Sequence, residues 1–338
     1  MSDGNFYAKL LVRLLSEDRF LLTTHRGPDP DGLGAELALD SLLRARGKDS
    51  IIYNHDPINP RYSFLDPEKR ARHAGESIPP AELENRTVVM LDNSDLERSG
   101  DAGKYIKEDQ SNLIVIDHHD GIASDYQTYF LNSGAGSTAE MVYYLIEQAA
   151  GGLTAEVATA IYAGIVTDTG HFRYQKTKPR THLIAAKLLE AGVDTAKVGD
   201  RLFSTWSTER LFGRAKLYEN LRVDEDRQMA WFAIRRRQLD EVSCNFEDLD
   251  GILNELIEPG EILAGMLFTE REPGRTKVSL RSKGDVNLLP AVNRYGGGGH
   301  RNACGGTIPL DLEAAVEQFI PLVAECVRAS SEARENKS

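Results

Sequence analysis

Cysteine is scarce in this chain. Cys244, Cys304 and Cys326 lie far apart, with neither the spacing of a zinc site nor enough partners for a disulfide framework, so a reducing compartment is expected. A long uninterrupted apolar run is also missing. The apolar residues near the N-terminus are broken by Lys9, Arg13, Glu17 and Asp18, which predicts an amphipathic helix instead of a signal peptide or membrane span. No membrane partner is expected, and cytoplasm is the default location. Positive charge is in deficit: 40 Lys and Arg face 52 Asp and Glu, for a net charge of −12. That balance argues against a protein that coats long nucleic acid through counterion release, but leaves room for a short nucleotide at a local basic or metal site. No internal repeat is visible. With 41% hydrophobic and 27% charged residues the chain reads as globular, and 338 residues suggest two domains, each with its own core.

The organising stretch is Asn112-Leu113-Ile114-Val115-Ile116-Asp117-His118-His119. An apolar run of this kind reads as a buried strand, parallel and central, that delivers its last residues to the carboxyl edge of a sheet. Two adjacent imidazoles after a carboxylate are a costly thing to bury for packing alone. Three further strand-like runs end in acids or histidines. Residues 21–24 lead into His25, Asp29 and Asp31, residues 87–91 into Asp92, and residues 161–167 into Asp168.

Taken in order, the pattern predicts a helix at 5–17, a strand at 19–25, a helix from Ala35 to Arg46 stopped by Gly47, and a strand from Ser50 to Tyr53. Residues 54–82, with five prolines, read as a long loop with at most short helices. The strand at 87–92, a charged helix near 96–107 and the central strand follow. Ser137 and Glu140 form a capping box that opens a helix, and Thr154 caps another that ends near Asp168. Strands alternating with helices imply a parallel sheet covered on both faces. Residues 195–222 read as helical linkers, with Phe203, Trp206, Leu211, Phe212 and Leu217 available for packing. A second unit holds strand-like runs at 230–234, 262–268 and 276–280, then Gly296 to Gly299 before His300, then a helix from 311. The polar residues from Ser330 to Ser338 are expected to fray. The fold class is therefore α/β: a doubly wound, mostly parallel domain (1–192), a helical linker (193–222) and a smaller α/β domain (223–330).

His25, Asp29, Asp31, Asp92, His118 and Asp168 form a ligand set of two imidazoles and four carboxylates. Such donors suit a hard-to-borderline divalent ion, with manganese favoured over magnesium by the nitrogens, and cobalt as a further alternative. Six groups exceed what one ion uses comfortably; two ions sharing a carboxylate, ~3.5–4 Å apart, can activate water and stabilise both oxygens at phosphorus. Singly, each motif has a plainer reading: an Asx turn at Pro28 to Gly32, a helix cap at Asp92, core histidines, a helix end at Asp168. The conjunction at four segment ends decides for the metal reading. In the second domain the glycine run before His300 and Arg301 allows backbone N–H groups to nest an anion, and the strand before it ends in Arg281, suited to bidentate phosphate contact.

With His25-Arg26-Gly27-Pro28-Asp29-Pro30-Asp31, Leu91-Asp92 with Arg98, Asp117-His118-His119, Thr167-Asp168-Thr169-Gly170 and the GGGGH signature, the chain resembles the DHH phosphoesterase superfamily along almost its full length. Its two-domain size is similar to the bacterial oligoribonucleases that also act on 3′-phosphoadenosine 5′-phosphate (pAp). The resemblance implies that His25, Asp29 and Asp92 hold one manganese and that Asp31, Asp92, His118 and Asp168 hold the other. It implies that His119 faces the scissile phosphate. Arg98, Arg281, Ser282, Gly298, Gly299, His300 and Arg301 would contact a short RNA or small nucleotide, and a homodimer is allowed. Rival substrates are linear and cyclic dinucleotides, polyphosphate and pyrophosphate; a non-catalytic nucleotide-binding module is the rival outside enzymes, and it would have lost a ligand.

Overall fold

The structure is a computed structural model that describes residues 3–119, 126–151, 153–204, 207–249 and 251–335. It divides into two compact units, Met1–Thr205 and Trp206–Ser338. In the first, α1 (Asp3–Leu15), β1 (Arg19–Thr23), α2 (Pro30–Ala45), β2 (Asp49–Asn54), β3 (Ala71–His73), α3 (Pro80–Leu83), β4 (Thr87–Leu91) and β5 (Leu113–Asp117) are followed by β6 (Tyr129–Leu131), α4 (Thr138–Gln148), α5 (Ala155–Asp168), α6 (Pro179–Glu190) and α7 (Thr195–Phe203). The sheet order is β3-β2-β1-β4-β5-β6, and every pairing is parallel. β5 is thus parallel but not central: β6 flanks it on its outer side, and β1 and β4 occupy the middle.

The strands bury both faces, as parallel sheets must. Phe20, Leu22, Val89, Leu91, Ile114 and Ile116 pack under α1, α2, α4 and α5. Leu21, Val88, Met90, Leu113 and Val115 face the other way, against Leu83, Ala102 and Tyr126. The expected charged helix on that second face is a 3-10 turn, Glu97–Tyr105, broken at Gly100 (φ +58). The long loop contains a 3-10 turn (Pro60–Leu65) and the edge strand β3, too short and too polar to announce itself. α2 starts at Pro30 instead of Ala35, because Asp29 caps it and Pro30 occupies its first turn, where a missing N–H is harmless. A Cβ on Gly34 would come within 2.4 Å of the Ala160 carbonyl, so this glycine lets α2 lie close on α5.

In the second unit, α8 (Thr208–Glu219), β7 (Arg222–Asp224), β8 (Met229–Arg235), α9 (Arg236–Asp240), α10 (Ile252–Leu256), β9 (Ala264–Glu272), β10 (Arg275–Ser282), α11 (Leu289–Asn293), β11 (Gly298–His300), β12 (Ala303–Ile308) and α12 (Leu312–Glu335) follow one another. The sheet order is β11-β12-β10-β9-β8-β7, antiparallel except for β8 with β9. One face packs on α11 and α12 through Met266, Phe268, Val278, Leu280 and Phe319, the other on α8 and α10 through Phe232, Ile234, Leu217 and Leu256. Of the residues expected to pack in the linker, Leu217 is buried and Phe203 partly so, but Leu211 and Phe212 are exposed; Trp206 lies outside the described residues. The expected C-terminal fraying is not seen up to Glu335: α12 continues, anchored two to three turns earlier by Val323, Cys326 and Val327.

Candidate metal centre

The carboxyl ends of β1, β4 and β5 converge with the N-terminus of α2 and the C-terminus of α5. β1 leads through Thr24 to His25, whose Nδ1 donates to the Arg26 carbonyl (2.8 Å). That bond fixes the ring so that Nε2 faces Asp29 Oδ2 (3.6 Å) and Asp92 Oδ2 (3.7 Å), the ring orientation a metal-binding histidine needs. Asp29 Oδ1 accepts from the Asp31 and Gly32 amides (2.9 and 3.1 Å), leaving Oδ2 for the site. Asp31 is fully buried. Its two oxygens accept from the Thr138 and Ala139 amides at the start of α4 (2.7 and 2.8 Å), a helix N-terminus that favours negative charge.

Asp92 follows β4 in a left-handed conformation (φ +56), strained for a residue with a Cβ, and is 2% exposed. The turn aims its carboxylate between two groups. Oδ2 faces His25, while Oδ1 lies 3.5 Å from His118 Nε2 and 3.6 Å from His119 Nδ1. His118 is also buried; its Nε2 lies 2.9 Å from Asp168 Oδ2 and 3.8 Å from Asp31 Oδ2. Although Asp168 approaches so closely, Nε2 is left without a hydrogen bond of good geometry. His119 turns aside. Its Nδ1 donates to Asp117 Oδ1 (2.7 Å), and its side chain is 41% exposed. Three overlapping groups result: His25, Asp29 and Asp92; Asp31, His118 and Asp168; Asp92, His118 and His119, each with donor atoms within 4.8 Å of one another.

These residues fit divalent ions. No lysine or arginine of the described residues pairs with Asp29, Asp31, Asp92 or Asp168, and an unsatisfied buried imidazole nitrogen points into the cluster. Burial, with Asp92 and Asp168 nearby, drives the Asp31 carboxyl well above the usual carboxylate range. Burial likewise raises Asp92. Burial alone would lower His25, but Asp29 and Asp92 outweigh it and push the imidazole up to about 10. For His118 the same contest, with Asp168 and Asp31 opposing burial, ends at about 9. The cluster therefore draws in positive charge, which protons supply alone and divalent cations supply when bound.

Sequence reasoning missed Thr138. Besides its amide on Asp31, its hydroxyl donates to Asp92 Oδ1 (3.0 Å), so one residue orients a ligand of each group. The Ser137–Glu140 box was its only signal, and it is half a box: Ser137 Oγ accepts from the Glu140 amide, but the Glu140 carboxylate accepts from Gly136 N and Thr181 Oγ1.

The substrate candidates are less gathered. Arg98 tethers the His25 loop through its carbonyl, which accepts from Arg26 N (2.7 Å), while its exposed guanidinium has no partner among the described residues. In the second unit, Arg281 and Gly298 line a hollow of about 440 Å³ with Lys277, Ser279 and Asn254. Ser282 is turned inward, donating to the Val286 carbonyl (2.8 Å) and accepting from Asn302 (2.9 Å). Arg301 donates to the Asp285 carbonyl (2.6 Å) on a different hollow. The last two glycines of the run are strand: Gly298, Gly299 and the exposed His300 form the edge strand β11, where Gly299 (φ +130) presses so close to Cys304 that no Cβ fits.

A parallel α/β unit that gathers aspartates and histidines into overlapping buried groups at its strand ends has the makings of a metal-dependent phosphoesterase. The chain belongs to the DHH family. Residues 19–165 match the DHH family N-terminal domain, and residues 237–329 match the DHHA1 domain. It is 32% identical over 317 residues to a protein of Thermus thermophilus named bifunctional oligoribonuclease and PAP phosphatase NrnA, covering 91% of this chain and 90% of that one. A Bacillus subtilis protein of the same name is 28% identical over 303 residues, covering 88% and 92%. Among solved structures, an exopolyphosphatase-related protein from Bacteroides fragilis shares the fold with a TM-score of 0.87 at 22% identity, covering 96% of this chain and 97% of that one. No helix among the described residues is long and apolar enough to cross a membrane.

Proposed function

We propose that this protein is a manganese-dependent phosphoesterase that hydrolyses short oligoribonucleotides to 5′-mononucleotides and pAp to AMP. The observation that carries the reading is the position of Asp92, whose two oxygens face different ligand groups. The names of the relatives, which this chain matches over nine-tenths of their length, support the substrates. Divalent ions held by His25, Asp29 and Asp92, and by Asp31, Asp92, His118 and Asp168, would acidify a water and neutralise charge at phosphorus. The chain's own residues do the rest. Thr138 and the start of α4 hold Asp92 and Asp31 in place. His119, whose bond to Asp117 first of all raises its proton affinity, presents its imidazole to the phosphate as a donor. Arg281 and Gly298 in their hollow, with His300, Gly299, Arg98 and Arg301, are the candidate grips on the substrate. Incubating purified protein with manganese and a dinucleotide, a 5-mer RNA, pAp, a cyclic dinucleotide and pyrophosphate, then separating products by chromatography, tests the reading. Release of mononucleotides and AMP is expected. Turnover of none, or undiminished turnover after exhaustive chelation, overturns it.

A further inference from the structure

Beyond Asp168 the chain doubles back on the metal centre. Gly170, His171 and Phe172 adopt left-handed backbone conformations in succession (φ +55, +61 and +63), which strains the two residues that carry a Cβ. Thr169 pins this turn: its carbonyl accepts from Arg173 N and Tyr174 N (both 3.0 Å), and its hydroxyl accepts from Phe172 N (3.1 Å). The Phe172 ring stacks on His182 at 5.0 Å, and the Tyr174 ring lies against Gly170, filling the space a Cβ would need. The turn brings Lys176 back to the end of β5. There its Nζ donates to the His118 carbonyl at 3.0 Å, on the peptide that joins the buried ligand to half-exposed His119.

Lys176 is half-buried, and among the described residues no carboxylate lies within ion-pairing distance of its ammonium, although the cluster beside it is acidic. One carbonyl uses one of three N–H donors. A neutral donor would brace that carbonyl as well, without the penalty of partly desolvating an unpaired charge. The strained turn thus holds a cation, with donors to spare, on the peptide between His118 and His119 at the edge of the candidate metal centre.

We propose that Lys176 binds a second phosphate of the substrate, the terminal phosphomonoester that is not cleaved, and so sets the preference for nucleotides that carry one. This inference rests on the phosphoesterase reading above and adds a specificity residue to it. The 5′-phosphate of pAp and the end phosphate of a short RNA share the chemistry, a dianion that forms charge-assisted hydrogen bonds with an ammonium.

The test compares pAp with 3′-AMP, which keeps the scissile phosphate and lacks the second one. Lys176→Gln retains a donor for the His118 carbonyl but no charge; Lys176→Arg retains the charge. Relative to the parent, Lys176→Gln is expected to lower the pAp to 3′-AMP ratio of kcat/KM by ~10-fold, chiefly through the KM for pAp, with bound metal unchanged. Lys176→Arg should keep most of the preference. An equal loss on both substrates, or loss of bound metal, makes Lys176 a brace for the His118 peptide and overturns the proposal. So does an unchanged ratio. A parent enzyme inactive on both nucleotides overturns the pAp-phosphatase reading on which the proposal rests, and that failure is visible before any variant is made.

Discussion

Thr138→Val removes one hydroxyl from the centre and little else. The side chain keeps its shape, and the residue 138 amide still donates to Asp31 Oδ2, so the junction of α2 and α4 stays closed. What goes is the 3.0 Å bond to Asp92 Oδ1, in a position with no exposure to water. A hydrogen bond to a charged group is worth ~1.5–3 kcal/mol, and valine offers no replacement. Asp92 sits in a strained left-handed turn, so the lost restraint falls on a ligand that two groups share. Outer-sphere partners of this kind typically change metal affinity ~10–100-fold. The expected result is weaker manganese binding by that factor, with kcat at saturating manganese within ~3-fold of the parent, since no reacting group has been removed. Thr138→Ser, which restores the donor, should lie close to the parent. Calorimetric titration of metal-free protein, run beside activity as a function of manganese concentration, reads both quantities. An unchanged metal titration, or a collapse of kcat with unchanged affinity, would refute the assignment of Thr138 as the restraint on Asp92.

Asp92→Ala should abolish activity and lower bound metal at both groups; a near-normal rate contradicts a shared carboxylate. His118→Ala should lose bound metal, whereas His119→Ala should retain it and lose ~10²–10³-fold in kcat, as expected for a donor to the transition state; metal analysis beside kinetics separates the two, and the opposite pattern reverses the roles. Arg281→Ala should raise KM ~10-fold or more with metal content unchanged, and loss of metal would remove it from the substrate hollow. Burial raises the Glu36 carboxyl to about 8, against an ordinary value of 4.5, with Oε1 unpartnered and Oε2 accepting from Asn54. The fold then holds a proton that the unfolded chain has released, so stability falls as pH rises from about 4.5 to 8 and levels off above that. Glu36→Gln should remove this fall, gaining on the parent by on the order of 2–4 kcal/mol between pH 5 and 9 in denaturant melts; a pH-independent difference would show that Glu36 is not the titrating group.

The convergence of the six candidate ligands was legible because they follow or close buried segments. β1, β4 and β5 are apolar through their middles and close on polar residues, and in a parallel sheet such polar ends share one edge. The order of the strands was not legible for the same reason. A strand buried on both faces shows no alternation, so nothing in residues 112–117 separates a central strand from one next to the edge. α5 posed a related ambiguity: most of its residues from Val157 to Val166 are buried, and the apolar run before Asp168 reads as strand or helix until the Thr154 cap is weighed. That the last two glycines of the run pair as an edge strand was not legible, because their backbone bonds come from β12, a partner that local sequence does not reveal.

What sequence could not supply is the way α4 completes the site. Asp31 and Asp92 are buried carboxylates that need donors, and their motifs contain none for the atoms facing the centre. The donors arrive from over a hundred residues beyond Asp31, as the two free amides of a helix start and one threonine hydroxyl. A capping sequence announces a helix terminus but not what that terminus faces. Here it faces two carboxylates, so Thr138 serves the helix, through its first turn, and the candidate metal centre at once. Of the residues around the site it is the one whose replacement should separate holding a metal ligand in place from being one.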